Sequence, residues 1–383
     1  MRIEAIVSAK VVLLNEHLLY WTGGVKWILE MSKRLKCDVF VTKASSENKM
    51  LFNQVGIEVK EFADVSINDA RYWIFYPYFL WDNWRKLKRL LVDYNVIIST
   101  SPTTCLIGAF LNKKSIFVMF EPNVWVYSPD FIEGLHPVLR LVARVGHPVI
   151  KWLDRFAMRR AGKLVALDGF RAKQGEKIYG RHVEIIPIGV DTELFKPQSK
   201  PASSGIIFHV ATYLSPVKGT YFIIVALPQI IKEVPDCQLW ILNAQGQQDE
   251  RIALIFLAKR LGVDSYIKFL DRVSEETLPA YYSYAQIVVQ PSFFTSHYWP
   301  ILEGGACETL AIAFDGVNAH EGIIDGETGY LVPAGNVEAL ADKIIEVLKN
   351  PNPEMGRKAR EMVIQRFSWE RSAKLMSELV GTC

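Results

Sequence analysis

Twice along this chain, short β-branched or aromatic runs alternate with longer segments of helical period. That doubled alternation constrains the fold more than any other feature, because it is the pattern of an α/β protein with parallel sheets. IEAIVS and DVFVT are strand-like in the first half; IIFHVA, CQLWIL, YIKFL, QIVVQ and LAIAF are strand-like in the second. Between the first two, Val25, Ile28, Leu29, Ser32 and Leu35 keep helical spacing, with Gly23 and Gly24 at the helix entrance. One such series fills residues 1 to about 195 and the next begins near 205. The intervening stretch from Lys196 to Gly205, rich in Pro, Ser and Lys, reads as an interdomain linker. A chain of 383 residues is long enough for two domains, each with a sizeable core. The expectation is two doubly wound domains facing each other across a cleft, where the parallel strands end and open α/β sheets bind ligands.

Charge narrows the partners. Lys and Arg number 44 against 41 Asp and Glu, a net +3, which gives no warrant for a nucleic-acid partner. The total averages two unlike halves. Residues 1–199 hold 28 Lys and Arg against 20 Asp and Glu, while residues 200–383 hold 16 against 21. The first half is therefore basic, the second acidic. Five cysteines lie far apart with no CxxC spacing, so neither a disulfide framework nor a zinc cluster is written here, and a cytoplasmic, reducing setting is expected. Glu4 and Lys10 break any apolar run at the start, which reads as a first strand and not as a signal peptide. No stretch supplies the roughly 20 apolar residues of a spanning helix.

Three segments carry candidate chemistry. ATYLSPVKG, Ala211 to Gly219, follows the first strand of the second half and places an ammonium and backbone amides at a helix N-terminus, a site for an anion such as a diphosphate. In PSFFTSHYWPILEGGACETLAIAF, Pro291 to Phe314, a strand, a tight loop and a helix are expected, with Pro300 near the helix start. The backbone amides of Trp299, Ile301 and Leu302 are then expected to be open to phosphate oxygens. Glu303, one turn further in, is placed to accept hydrogen bonds from a pair of hydroxyls, as a carboxylate does from a ribose. GETGYLVP, Gly326 to Pro333, reads as turn, strand and turn before Asn336, a helix cap. Taken singly, each is equally an ordinary loop or an exposed helix face.

In order and spacing these segments resemble the family-4 retaining glycosyltransferases, which use nucleotide sugars. The resemblance implies an α/β fold of the kind called GT-B: two Rossmann-like, doubly wound parallel-sheet domains facing across a cleft. Gly23 and Gly24 before a long helix resemble the family's glycine-rich loop in the acceptor domain. IIPIGVDTELFKP, Ile185 to Pro197, resembles its interdomain signature, with Ile188 where an Asn is usual. LSPVKG is similar to its phosphate loop, and LDRVSEETLPAYYSYAQIVVQPS and GETGYLVP to two further signatures. FSWERSAKLMSELV, Phe367 to Val380, looks like the terminal helix that crosses back to the first domain. The implied division is an acceptor-binding domain over 1–199, a donor-binding domain over 200–366 and the returning helix over 367–383.

The departures from the family pattern fall in the sugar and phosphate pocket. Eight residues before Glu303, where the family carries a first carboxylate, stands Thr295. The family's phosphate-loop Arg is replaced by Tyr213 while Lys218 remains, with Arg272 and His320 as candidate replacements. FEPN places Phe120 and Glu121 where many members carry a histidine, and Glu308 and Leu310 stand where Gly and Pro are common. The resemblance implies catalytic roles for Lys218, Thr295 and Glu121. It implies donor binding by Gly23, Gly24, Lys218, Arg272, His297, Trp299, Ile301, Leu302 and Glu303. No metal or cofactor is called for: there is no Asp-x-Asp, and the nucleoside diphosphate sugar is a substrate. The implied reaction moves a sugar to a saccharide or lipid-linked acceptor with retention. The alternative is a GT-B subunit that has lost catalysis and partners an active transferase; an epimerase or a phosphorylase on the same architecture lacks its own residue set here. His17, His147, His182 and His209 have the bland reading of core or surface residues.

Seven Lys or Arg and one acid, Asp154, lie between His136 and Lys163, with Arg140, Arg144, Lys151, Arg155 and Arg159 at helical spacing. Pro148 is expected to separate two helices there. A basic amphipathic pair of this kind either forms an ordinary solvated face or lies on an anionic membrane surface, a peripheral site on the inner face of the membrane.

Overall fold

The computed structural model describes residues 10–63, 76–111, 113–120, 136–199, 205–211, 214, 216–243, 248–271, 273–293, 298–316 and 318–383. The chain forms two compact units, the first made of Met1–Pro187 and Trp369–Cys383, the second of Ile188–Ser368.

The first unit is built on a parallel seven-stranded sheet. Its strands are β1 (Val11–Leu14), β3 (Asp38–Val41), β5 (Val59–Glu61), β6 (Val96–Ser99), β7 (Lys114–Met119), β8 (Lys163–Ala166) and β9 (Glu184–Ile185), in the order β5-β3-β1-β6-β7-β8-β9. β2 (His17–Leu18) and β4 (Lys43–Ala44) pair separately. The expected strand IEAIVS falls outside the described residues, and VVLL is the first strand seen. The helix Gly23–Leu35 begins where the Thr22 hydroxyl accepts the Val25 N–H at 3.3 Å and ends at Lys36, in the left-handed conformation. It buries Val25, Trp27, Ile28 and Met31. The terminal helix Trp369–Thr382 belongs to this unit. Trp369 is fully buried, the Ser372 hydroxyl donates to the Pro187 carbonyl at 2.7 Å, and Arg34 pairs with Glu370.

One helix, Pro137–Arg160, runs where two were expected. Pro148 costs it a single i→i−4 bond and sits on the exposed side, while Asp154, Ala157 and Met158 are buried beyond it. Packing of that inner face holds the helix continuous through the proline.

The second unit carries a parallel six-stranded sheet: β10 (Ile206–Val210), β11 (Gln238–Leu242), β12 (Ile267–Leu270), β13 (Ile287–Gln290), β14 (Ala311–Asp315) and β15 (Gly329–Pro333), in the order β12-β11-β10-β13-β14-β15. All five strands expected in this half are present. Asn336 caps the helix Val337–Lys349 as expected, its side chain accepting the Ala339 N–H at 3.0 Å. Each sheet has a buried apolar core on its faces; Leu→Ala at such a position costs about 2 to 5 kcal/mol.

The units divide at Pro187, upstream of the polar stretch that reads as a linker. The reason is visible in the chain that follows. The Gly189 carbonyl accepts the Trp299 indole N–H at 2.9 Å, Val190 N–H donates to Phe367 O at 2.6 Å, and Arg360 donates to the Phe195 carbonyl at 3.0 Å. The segment is thus already fixed to the second unit before the Pro- and Ser-rich residues begin.

Candidate functional site

In both sheets the strand order reverses at one point, between β1 and β6 in the first and between β10 and β13 in the second. Beyond the carboxyl ends of strands at such a reversal, neighbouring loops diverge and leave room for a ligand.

At the reversal in the second unit, the structure brings two of the sequence segments together. Pro216–Lys218 form a 3₁₀ turn and Gly219 precedes the helix Thr220–Glu233. Gly219 has φ +71°, and a Cβ there would stand 1.9 Å from the Pro291 carbonyl oxygen. Only glycine lets the turn press so closely on the end of β13. The Ser292 hydroxyl donates to the Lys218 carbonyl at 3.3 Å. Lys218 itself is half-buried.

His209 ties this edge to the sheet. It is fully buried; its Nδ1 lies 2.8 Å from the Val289 carbonyl and its Nε2 2.9 Å from the Thr220 hydroxyl. Since a carbonyl only accepts, Nδ1 carries the proton and Nε2 accepts from Thr220. Burial pushes the imidazole down to about 4, and Lys218 adds to that shift. A neutral histidine therefore anchors the first residue of the helix behind the Lys218 turn, the bland role expected of it.

Glu303 sits in the helix Trp299–Ala306, which lies so close to β13 that a Cβ on Gly304 would meet Val288 at 2.8 Å. The carboxylate is buried, and the Tyr282 hydroxyl donates to its Oε2 at 2.8 Å. Burial and the neighbouring carboxylate hold the Tyr282 phenol well above its ordinary range, so it stays a donor. Tyr282 was not singled out in the sequence. The signature LPAYYSY contains it, but no spacing rule links it to Glu303.

One expectation about this helix is corrected. Ile301 and Leu302 both donate their N–H groups to the Tyr298 carbonyl, at 3.0 and 3.2 Å, so neither amide is open to a phosphate. A shared acceptor is common where a helix starts with a tight turn, and Pro300 next to them has no N–H to offer. The Trp299 side chain is buried against Gly189. Thr295, Arg272, His297, Tyr213 and Glu121 lie outside the described residues. His320 is exposed on the short helix Ala319–Gly322.

In the first unit, Gly23 and Gly24 open the helix capped by Thr22. A Cβ on Gly24 would make only ordinary contacts, 3.7 Å to Phe120 and to the Thr22 hydroxyl. Protein packing does not demand a glycine there. The reversal point between β1 and β6 holds a cluster the sequence did not flag. Thr100 donates to Asn15 Oδ1 at 2.6 Å, Ser101 bonds the Thr103 and Thr104 hydroxyls at 2.9 Å each, and Thr103 donates to Glu16. Burial raises the Glu16 carboxyl to about 8, against a smaller opposing effect of Ser101. The only sequence signal was the run STSPTT directly after a strand.

Comparison with known proteins agrees with the fold and with the resemblance. Residues 204–350 match the family described as glycosyl transferases group 1. D-inositol 3-phosphate glycosyltransferase of Kribbella flavida is 28% identical over 234 residues, 56% of this chain and 55% of that protein. A GDP-mannose-dependent alpha-(1-6)-phosphatidylinositol monomannoside mannosyltransferase of Mycolicibacterium smegmatis is 26% identical over 217 residues, 52% of this chain and 56% of that protein. The chain spans about half the length of the curated relatives it matches. Among solved structures, Anabaena HepE in complex with UDP superposes with a TM-score of 0.78 at 19% identity, covering 98% of this chain and 100% of that one. Sucrose-phosphate synthase from Thermosynechococcus elongatus gives 0.76 at 18%, covering 97% and 98%. At these identities the structural likeness establishes the fold: two Rossmann-like domains of GT-B type.

Proposed function

We propose that this chain is a glycosyltransferase that binds a nucleoside diphosphate sugar on its second unit and transfers the sugar, with retention, to a saccharide or lipid-linked acceptor. The observation that carries this reading is the Lys218–Gly219 turn held against Pro291 and Ser292 at the reversal of the second sheet. A half-buried ammonium ahead of a helix N-terminus is suited to a diphosphate. The match of residues 204–350 to glycosyl transferases group 1 supports it, as does the UDP bound by Anabaena HepE.

In this reading Glu303, its rotamer fixed by Tyr282, accepts the ribose hydroxyls, and Lys218 neutralises the diphosphate. The bond from the anomeric carbon to the diphosphate oxygen breaks through an oxocarbenium-like state as the acceptor hydroxyl oxygen bonds the same carbon. The hydroxyl proton passes to the departing diphosphate, which removes the need for a carboxylate base at Thr295. Lys218 contributes by stabilising the negative charge that grows on the leaving group. Gly24 is glycine without a packing requirement, which fits close approach of a ligand to the backbone at Gly23 and Gly24. No metal is assigned to the reaction.

Calorimetry and thermal shift with UDP, GDP, ADP and their sugars test the proposal. One nucleotide is expected to bind, and Lys218→Ala and Glu303→Ala are each expected to weaken it. The absence of binding by every nucleotide would overturn the donor site and put the non-catalytic partner subunit in its place.

A further inference from the structure

The helix Pro137–Arg160 turns a row of apolar side chains outward: Val138, Leu141, Val145, Val149 and Trp152 are 56–74% exposed. At 100° per residue they fall within an arc of about 80° and extend for about 21 Å. Arg140, Arg144, Lys151 and Arg155 project along one flank of that row at the same periodicity. The single acid of the segment, Asp154, is buried on the opposite side. The exposed surface of the helix thus combines apolar groups with positive charge and presents no carboxylate of its own.

The structure extends this surface onto a second basic element that the sequence pattern of the first helix did not include. Phe110, 46% exposed, packs its ring 5.4 Å from Phe156, which stacks on Trp152 at 5.5 Å. On its other side Phe110 meets Trp84 edge-on at 6.1 Å. Trp84 begins the helix Trp84–Leu91, where Arg85, Lys86, Lys88 and Arg89 are all exposed and no acid occurs. Lys88 lies 5.5 Å from the Trp84 ring and Arg160 5.3 Å from the Phe156 ring.

We infer that these two helices, joined through Phe110, form a platform that seats the first unit on an anionic lipid bilayer. The apolar row enters the boundary between headgroups and acyl chains while the flanking guanidinium and ammonium groups meet lipid phosphates. A folded protein partner matched to such a face would have to be both strongly apolar and uniformly negative; an anionic bilayer is so by composition. Among the described residues no helix is long and apolar enough to cross a membrane, so the association is peripheral. The inference is independent of the donor site and is read without a nucleotide.

Flotation with vesicles of phosphatidylcholine alone, or mixed with phosphatidylglycerol, tests it. The chain is expected to float with the anionic vesicles at low salt and to be released by high salt. Val145→Glu with Val149→Glu, at exposed positions, is expected to abolish flotation with circular dichroism unchanged. Each basic residue near the surface contributes about fivefold in affinity, so Lys88→Glu with Arg89→Glu is expected to weaken binding by at least about 25-fold. A wild-type chain that stays at the bottom, or floats equally with neutral vesicles, overturns the platform. So does a wild-type dimer that Val145→Glu with Val149→Glu dissociates, which would assign the face to a second copy. Unchanged binding of Lys88→Glu with Arg89→Glu overturns the role of the second helix.

Discussion

At the reversal point of the first sheet the chain buries a carboxyl among hydroxyls; at that of the second it buries an imidazole and leaves a lysine half exposed beside it. In the first, Thr103 donates to Glu16 and bonds Ser101, Thr100 donates to Asn15 beside them, and the carboxyl is held neutral at pH 7 by burial. In the second, His209 is held neutral as well, but Lys218 is kept at the edge by a turn that no residue other than glycine can make. Similar parallel-sheet scaffolds thus carry different local electrostatics, and among the described residues the second places a lysine with a fixed backbone beside it. The net charge runs the other way, since the first half of the chain is the basic one. Bulk charge therefore does not point to the proposed anion site; local geometry does.

The sharpest test of that difference compares two glycines. Gly219→Ala drives a Cβ into the Pro291 carbonyl at positive φ, and is expected to cost about 3 kcal/mol or more and to remove nucleotide binding. Gly24→Ala meets only ordinary contacts in a helix and is expected to change stability by less than about 1 kcal/mol. Denaturant titration of both measures the gap; equal losses would break the comparison. Next in size, Lys218→Ala is expected to weaken nucleotide binding by about ten- to a hundredfold through loss of one charge-assisted hydrogen bond, with melting unchanged. A large fall in melting temperature instead would make Lys218 a structural residue.

The two buried groups also give opposite pH responses. Glu16 has a raised folded value, so its contribution is complete below about 4.5 and is lost as pH rises towards about 8. His209 has a lowered value, so its contribution is present above 6.5 and is lost as pH falls towards about 4. Glu16→Gln is expected to flatten the alkaline side of the stability profile, and His209→Gln the acid side. Melting curves of each variant across that range check the sign; a flattening on the opposite side would invert the assignment.

The sequence was informative where one residue type answers a backbone demand. The five strands of the second half, the Asn336 cap and the Gly-bearing turn after β10 were legible from periodicity and turn chemistry. What escaped depends on contacts across the fold. Tyr282 reaches Glu303 only because the helices that carry them are placed side by side, and the Thr103 hydroxyl meets Glu16 only when β6 is laid beside β1. The domain boundary was misplaced because composition marks a polar stretch, whereas the chain is captured earlier by Trp299 and Arg360. Pro148 misled in the same way: a local breaker was outweighed by the burial of Ala157 and Met158 beyond it.

A last and smallest effect supplies a yardstick for the glycine comparison, because it isolates backbone strain from both reversal points. Glu308 stands where the related family commonly has glycine, and it adopts φ +59°, the left-handed region that side chains disfavour. Its carbonyl approaches so closely that a Cβ on Gly356 would lie 2.3 Å from the oxygen, which leaves the turn no room to relax. Glu308→Gly is expected to stabilise the second unit by about 1 kcal/mol, offset in part by the greater freedom of the unfolded chain, with nucleotide affinity unchanged. If the substitution instead alters nucleotide binding, the Lys218 turn is coupled to the far end of the helix Trp299–Ala306. The loss expected of Gly219→Ala would then include that coupling as well as the local clash.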